Sequence, residues 1–81
     1  MQVGVLAFAR VREVLGFSER TLDVPPRATG AAIFERLCAQ TPAFEELAAS
    51  TRIARNGTLV DAAAAFSEGD EAALLPPAGG G

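Results

Sequence analysis

Apolar residues alternate along Gln2 to Arg10, with Val3, Val5 and Ala7 on one side and Gly4, Leu6 and Phe8 on the other. A two-residue period predicts a strand. Apolar character on both sides suits a central one, covered on at least one face. The stretch Arg12-Glu13-Val14-Leu15-Gly16 then reads as a short turn with helical character, stopped by Gly16. Ser18 to Val24 predicts a second strand. Glu19, Thr21 and Asp23 form its polar face, and Leu22 and Val24 face the core beyond Arg20. The two strands make an antiparallel hairpin with a long loop.

Pro25-Pro26-Arg27-Ala28 breaks the pattern, and Thr29 is placed to cap a helix. Ile33 and Leu37 share one helical stripe, with Phe34 and Cys38 beside it at the same spacing. Pro42 closes that helix and can start a short second one, with Glu45 and Glu46 near its beginning. Arg52 to Arg55 and Thr58 to Val60 predict two strands around Asn56-Gly57, the chain's strongest hairpin signal. Asp61 to Phe66 predicts a turn with Phe66 tucked inward, and Glu68-Gly69-Asp70 predicts another. Glu71 to Leu75 is the last strand, and it runs directly into Pro76. The order is β-β-α-β-β-β. One main helix lies across a sheet, an α+β roll, with residues 1–75 as the domain and 76–81 as a tail.

Composition narrows the chemistry. Eighty-one residues make one small domain, and the single Cys38 excludes an internal disulfide. Cys38 on an apolar stripe reads as buried and inert. Net charge is −3, which argues against nucleic acid as a partner. No apolar run has the ~20 residues a membrane span needs, and no signal peptide is evident at the first residues. The expectation is a cytoplasmic protein. There is no His, Tyr or Trp, so the usual acid–base group for neutral pH is missing. No cluster has metal-ligand spacing, and the glycines form no phosphate-binding fingerprint. A stand-alone enzyme is not expected. All seven basic residues are arginine, so the chain offers no ε-amine that could attack an activated carboxyl group of its own.

The remaining chemistry sits in Pro76-Pro77-Ala78-Gly79-Gly80-Gly81. Two prolines stiffen the exit from the last strand. Three glycines let a partner close tightly around the backbone. Six residues reach roughly 20 Å, enough to carry the Gly81 carboxylate into another protein's active site. Taken alone, such an end equally suits a frayed terminus.

Four stretches carry a family resemblance: Phe8-Ala9-Arg10-Val11-Arg12-Glu13, Leu22-Asp23-Val24-Pro25, Arg55-Asn56-Gly57, and the closing run from Glu68 to Gly81. Together they resemble the small subunit of molybdopterin synthase, a ubiquitin-like β-grasp family. The ordered succession of Gly-Asp-Glu turn, apolar strand, Pro-Pro and terminal Gly-Gly is its most specific part. The Arg12-Glu13 pair separates the chain from shorter carriers such as that of the thiamine pathway. Two positions depart from the family pattern: Gly79, where Ser or Thr is usual, and Leu75, where Phe is frequent.

The resemblance implies a non-catalytic, sulfur-donating subunit. An adenylating enzyme of the ubiquitin-activating type, using ATP, activates Gly81. A sulfur donor protein converts it to a thiocarboxylate. The sulfur then attacks a cyclic pterin monophosphate in the large synthase subunit, two carriers serving a heterotetramer. Gly79, Gly80, Pro76 and Pro77 thread and aim the tail. Phe8, Leu59 and Leu75 are expected at the partner interface, with Arg12 paired to an acidic group there. No cofactor is expected on the chain itself. Glu68, Asp70 and Glu71 read first as turn and surface residues, and secondly as groups that steer a basic partner. The alternatives are a carrier for tRNA thiolation or thiamine synthesis, a ubiquitin-like modifier, and a plain interaction module.

Overall fold

The computed structural model describes residues 1–77. The first strand, β1, spans Gln2–Ala7, shorter than the alternation predicts. The chain then enters helix α1, Ala9–Leu15, longer and earlier than the short turn of helical character predicted from Arg12. Val11 and Leu15, four residues apart, are both buried and supply the apolar stripe. Gly16 ends the helix at φ 82°, and its N–H donates to the Arg12 carbonyl at 2.9 Å. Ala9 starts it with φ 48°, a left-handed conformation that costs a residue with a Cβ about 1 kcal/mol. That turn ends the strand and leaves Phe8 in extended conformation with its ring exposed.

Strand β2, Glu19–Asp23, buries Leu22 and exposes the rest. Arg20 is accordingly not in the core; its guanidinium lies 4.3 Å from the centre of the Phe17 ring. Helix α2 covers Gly30–Gln40, and its cap is the one predicted: Thr29 Oγ1 accepts from the Ala32 N–H at 3.2 Å. The N–H groups of Gly30 and Ala31 donate to the carbonyls of Ala64 and Ala62. Glycine eases that close approach, because a Cβ on residue 30 would lie 3.2 Å from the Ala62 carbonyl oxygen and push the loop back by a few tenths of an ångström. Beyond Thr41 the predicted short helix divides into a 3-10 turn, Pro42–Phe44, and helix α3, Glu45–Ala48. The 3-10 turn drives Phe44 into the core, where its ring stacks on Phe34 with centroids 6.0 Å apart.

Strands β3, Arg52–Arg55, and β4, Thr58–Val60, form the predicted hairpin. Asn56 and Gly57 both take positive φ, 49° and 88°, as a type I′ turn demands. Strand β5, Glu71–Leu75, closes the sheet in the order β2-β1-β5-β3-β4. The β1–β5 pair is parallel; the other three pairs are antiparallel. Helices α1 and α2 and the Phe44 and Phe66 rings pack on one face over Val3, Val5, Ala7, Leu22, Ile53, Ala72 and Leu74. Among the described residues, the opposite face carries no helix.

The left-handed Ala9 makes an unusual prediction. Ala9→Gly should leave stability unchanged or raise it by up to ~1 kcal/mol. Glu35→Gly, in the middle of α2, should lose most of ~1 kcal/mol. Urea unfolding of both variants checks this; equal losses would remove the strain assigned to Ala9.

Candidate functional site: the tail root and the open face of the sheet

Strand β5 lies in the middle of the sheet, between β1 and β3. Because β1 and β5 run parallel, both finish at the same end. Their register pairs Ala7 with Leu74. Phe8, still extended, therefore leaves β1 beside Leu75, the residue before Pro76. Strand alternation puts Phe8 and Leu75 on the open face with Leu6 and Ala73. Arg52 lies opposite Leu75 on the other side.

A second row crosses the open face. Glu19, Leu6, Ala73, Ala54 and Leu59 are successive register partners across all five strands. Ala54 is buried, yet it is not part of the helix-covered core; its cross-strand neighbours shield it. Phe8 and Leu59 are 44% and 47% exposed, the two large apolar side chains most open to solvent among the described residues. They mark the ends of one apolar band. Leu59 is on edge strand β4, two strand spacings or roughly 10 Å from β5. It shares the face of the tail root without adjoining it. Leu6, Ala73 and Ala54 belong to the band although the sequence reading did not count them among the interface residues. The alternation that isolates Phe8 already puts Leu6 with it, but Ala54 and Ala73 needed the strand order.

The motifs around Asn56 and Asp70 position the last strand. Asn56 Nδ2 donates to Asp70 Oδ1 at 3.0 Å, and the Ser67 N–H donates to Asp70 Oδ2 at 2.7 Å. Asn56 Oδ1 accepts from the Glu71 N–H at 2.9 Å, while the Asn56 N–H donates to the Glu71 carbonyl. On the β1 side, Glu68 accepts from the Gln2 N–H and the Gly4 N–H donates to the Asp70 carbonyl. The hairpin turn, the Glu68-Gly69-Asp70 turn and β1 thus grip the start of β5 together. The hydrogen bonds from Asn56 and Ser67, helped by the charge of Arg55, hold the Asp70 carboxyl below its ordinary range.

The arginines divide by role. Arg36 and Arg55 donate to the carbonyls of Asp23 and Ala65. Arg12 is exposed on α1, as are Arg10 on α1 and Arg52 on β3. Among the described residues the one ion pair is Met1 ammonium to Asp23, so these three guanidiniums are left for solvent or a partner. Cys38 is half-buried rather than fully buried. Burial, and then the Glu45 carboxylate, push its thiol pKa up, which suppresses the reactive thiolate. Pro76 and Pro77 are exposed. Gly79, Gly80 and Gly81 lie outside the described residues. Among those described, no group of three His, Cys, Asp or Glu residues is arranged to hold a metal ion, and no helix is long and apolar enough to cross a membrane.

The chain as a whole matches a known family. Its model, that of the ThiS family, covers residues 5–81. The chain belongs to the ThiS family. Within that family, the molybdopterin synthase sulfur carrier subunit of Chlamydomonas reinhardtii is 34% identical over 83 residues, covering 100% of both chains. The crystal structure of SAMP1 from Haloferax volcanii superposes on this ThiS-family chain with a TM-score of 0.85 at 29% identity, again over 100% of both chains. The complex of subunits 1 and 2 of molybdopterin-converting factor from Helicobacter pylori contains a chain with a TM-score of 0.70 at 22% identity, covering 100% of both chains, a likeness of fold alone. The five-stranded mixed sheet with its packed helices is the ubiquitin-like β-grasp.

Two predictions separate positioning from display. Asp70 prefers its charged form when folded, so its contribution is present above the ordinary carboxylate pKa of 3.8 and is lost as pH falls through the lowered value. The urea midpoint of the native protein should drop as pH goes from about 5 to about 2, and Asp70→Ala should flatten part of that drop. Phe66→Ala, at a fully buried ring, should cost ~3–5 kcal/mol. Phe8→Ala should stay within ~0.5 kcal/mol of native. A large loss at Phe8 in the same unfolding series would make it a core residue and not a displayed one.

Proposed function

We propose that the chain is the sulfur-carrier small subunit of a molybdopterin synthase. Full-length similarity to a relative of that name carries the reading, and the architecture supports it. The tail leaves the centre of a rigid sheet rather than a fraying edge, next to exposed Phe8 and half-exposed Leu75. A carboxylate is ionised at neutral pH and is a poor electrophile. In this reading an adenylating enzyme uses ATP to form an acyl-adenylate on Gly81. Hydrosulfide delivered by a sulfur donor bonds to the acyl carbon as the bond to AMP breaks, and loss of its proton leaves a thiocarboxylate. The large subunit receives the tail, and the sulfur anion attacks the cyclic pyranopterin monophosphate there. Acid, base and substrate-binding groups come from the partners, and the chain has no His or Lys of its own to supply them. The setting proposed is cytoplasmic.

Gly79, Gly80, Pro76 and Pro77 aim and thread the tail. Gly79 adds conformational freedom that must be ordered on docking. Phe8 and Leu75 seat the large subunit beside the tail root, Leu59 extends the contact along the sheet, and Arg12 pairs with an acidic group. Leucine at position 75 keeps an apolar contact without an aromatic anchor. A second reading, a protein modifier, is favoured by the likeness to SAMP1; it ends in an isopeptide bond from Gly81 to a lysine of another protein.

Intact-mass analysis tests both. After incubation with ATP, a sulfur source and host extract, the expected result is the replacement of one oxygen by sulfur, localised to Gly81. The same change at a trimmed Gly80 would keep the chemistry and move the residue. Lysine-linked adducts without a sulfur-bearing species would favour the modifier. No change, in an extract that sulfurates a known carrier, would leave an interaction module.

A further inference from the structure

Beside the tail root lies a notch of about 320 Å³. Val11, Leu47, Pro76 and Pro77 form its apolar wall, and Arg10, Ser50 and Thr51 supply its polar groups. The Ser50 and Thr51 hydroxyls both donate to the Leu47 carbonyl, at 3.3 and 2.7 Å, so toward a ligand they offer only lone pairs. Among the described residues Arg10 is the notch's one charged group, and it is exposed and outside the one ion pair seen there. Arg52 stands across the root from it, opposite Leu75. An acidic chain, net −3, therefore presents at the place where its tail begins two guanidiniums with no ion pair among the described residues.

Reach decides what can sit there. The four residues beyond Pro77 span at most roughly 14 Å. Any protein holding Gly81 in its active site must bring its surface against the tail root. From these observations we propose that the notch is a second docking point, distinct from the apolar band of the sheet. It receives an apolar side chain of the tail-receiving protein, next to an Asp or Glu that pairs with Arg10. Because Pro76 and Pro77 form one wall, filling the notch fixes the direction in which the tail departs. A grip on both the sheet face and the notch orients the carrier about two contacts and not one, and the charge pair steers the encounter. The proposal rests on the carrier reading.

The test measures affinity for the purified molybdopterin synthase large subunit of the same host by calorimetry. Arg10→Glu should weaken binding by about tenfold, and the loss should shrink at high salt. Ser50→Trp, which fills the notch from an exposed position, should weaken it similarly without that salt dependence. Arg10→Lys should stay within about threefold, and Arg27→Glu, at the far end of the sheet, should bind as the native chain does. Urea unfolding confirms that each variant is folded; if Ser50→Trp is not, the Arg10 pair decides alone. Native binding with Arg10→Glu and Ser50→Trp unchanged overturns the notch and leaves the carrier reading intact. Failure of the native chain itself to bind overturns both.

Discussion

The parallel ladder between the first and last strands is the constraint from which the rest of this molecule follows. It joins residues about seventy positions apart in the chain, Val5 with Ala72 and Ala7 with Leu74. A parallel pair cannot be closed by a tight turn, so everything between the two strands must form the crossover. That crossover holds α2, which covers one face, and the β3–β4 hairpin, which extends the sheet beyond β5. With β5 paired on both sides, the chain leaves from the middle of the sheet and not from an edge.

Holding β5 in place falls to groups that look like surface decoration in the sequence. Asn56, Ser67, Glu68 and Asp70 are polar and solvent-accessible, yet their hydrogen bonds link two turns to the start of the strand. Each such bond adds on the order of 1 kcal/mol. Their combined effect is on register, since a one-residue slip of β5 would exchange Ala72 and Leu74 in the core for Ala73 and Leu75 on the open face. The apolar band and the tail direction both depend on that register.

The two faces of the sheet divide their labour. The helix-covered face has the large buried side chains: Phe44, Phe66, Ile33, Leu37 and Leu74. The open face uses small ones, Gly4, Ala54 and Ala73, with Leu6, Phe8, Leu59 and Leu75 rising above them. A surface of that kind can be covered by another protein without rearranging the core beneath it. Arg10 and Arg52 lie at the same end as the tail root, so charge and apolar surface face one direction there.

Much of this was legible in the residues themselves. The caps at Thr29 and Gly16, the Asn56-Gly57 turn, the strand Arg52–Arg55 and the inward Phe66 follow from local rules, because φ > 0, side-chain capping and periodicity act within a few residues. The closing motif likewise carried the family resemblance. The misread segments were those where two local signals competed. The alternation through Phe8 hid the helix starting at Ala9, whose positive φ no local preference of alanine announces. Cys38 on its stripe looked buried, but its burial depended on how far α3 reaches over α2. What the sequence determined alone was most of the elements, because periodicity, capping and turn residues act locally, and a closing run of proline and glycine that carries the family resemblance. Tertiary structure decided that β5 pairs in parallel with β1, that Phe8 stands beside Leu75 while Leu59 lies two strands away, and that Arg10 meets Pro76 and Pro77 in a notch. Those contacts join distant segments, and their geometry is set by strand order and register, which are properties of the whole sheet rather than of any stretch within it.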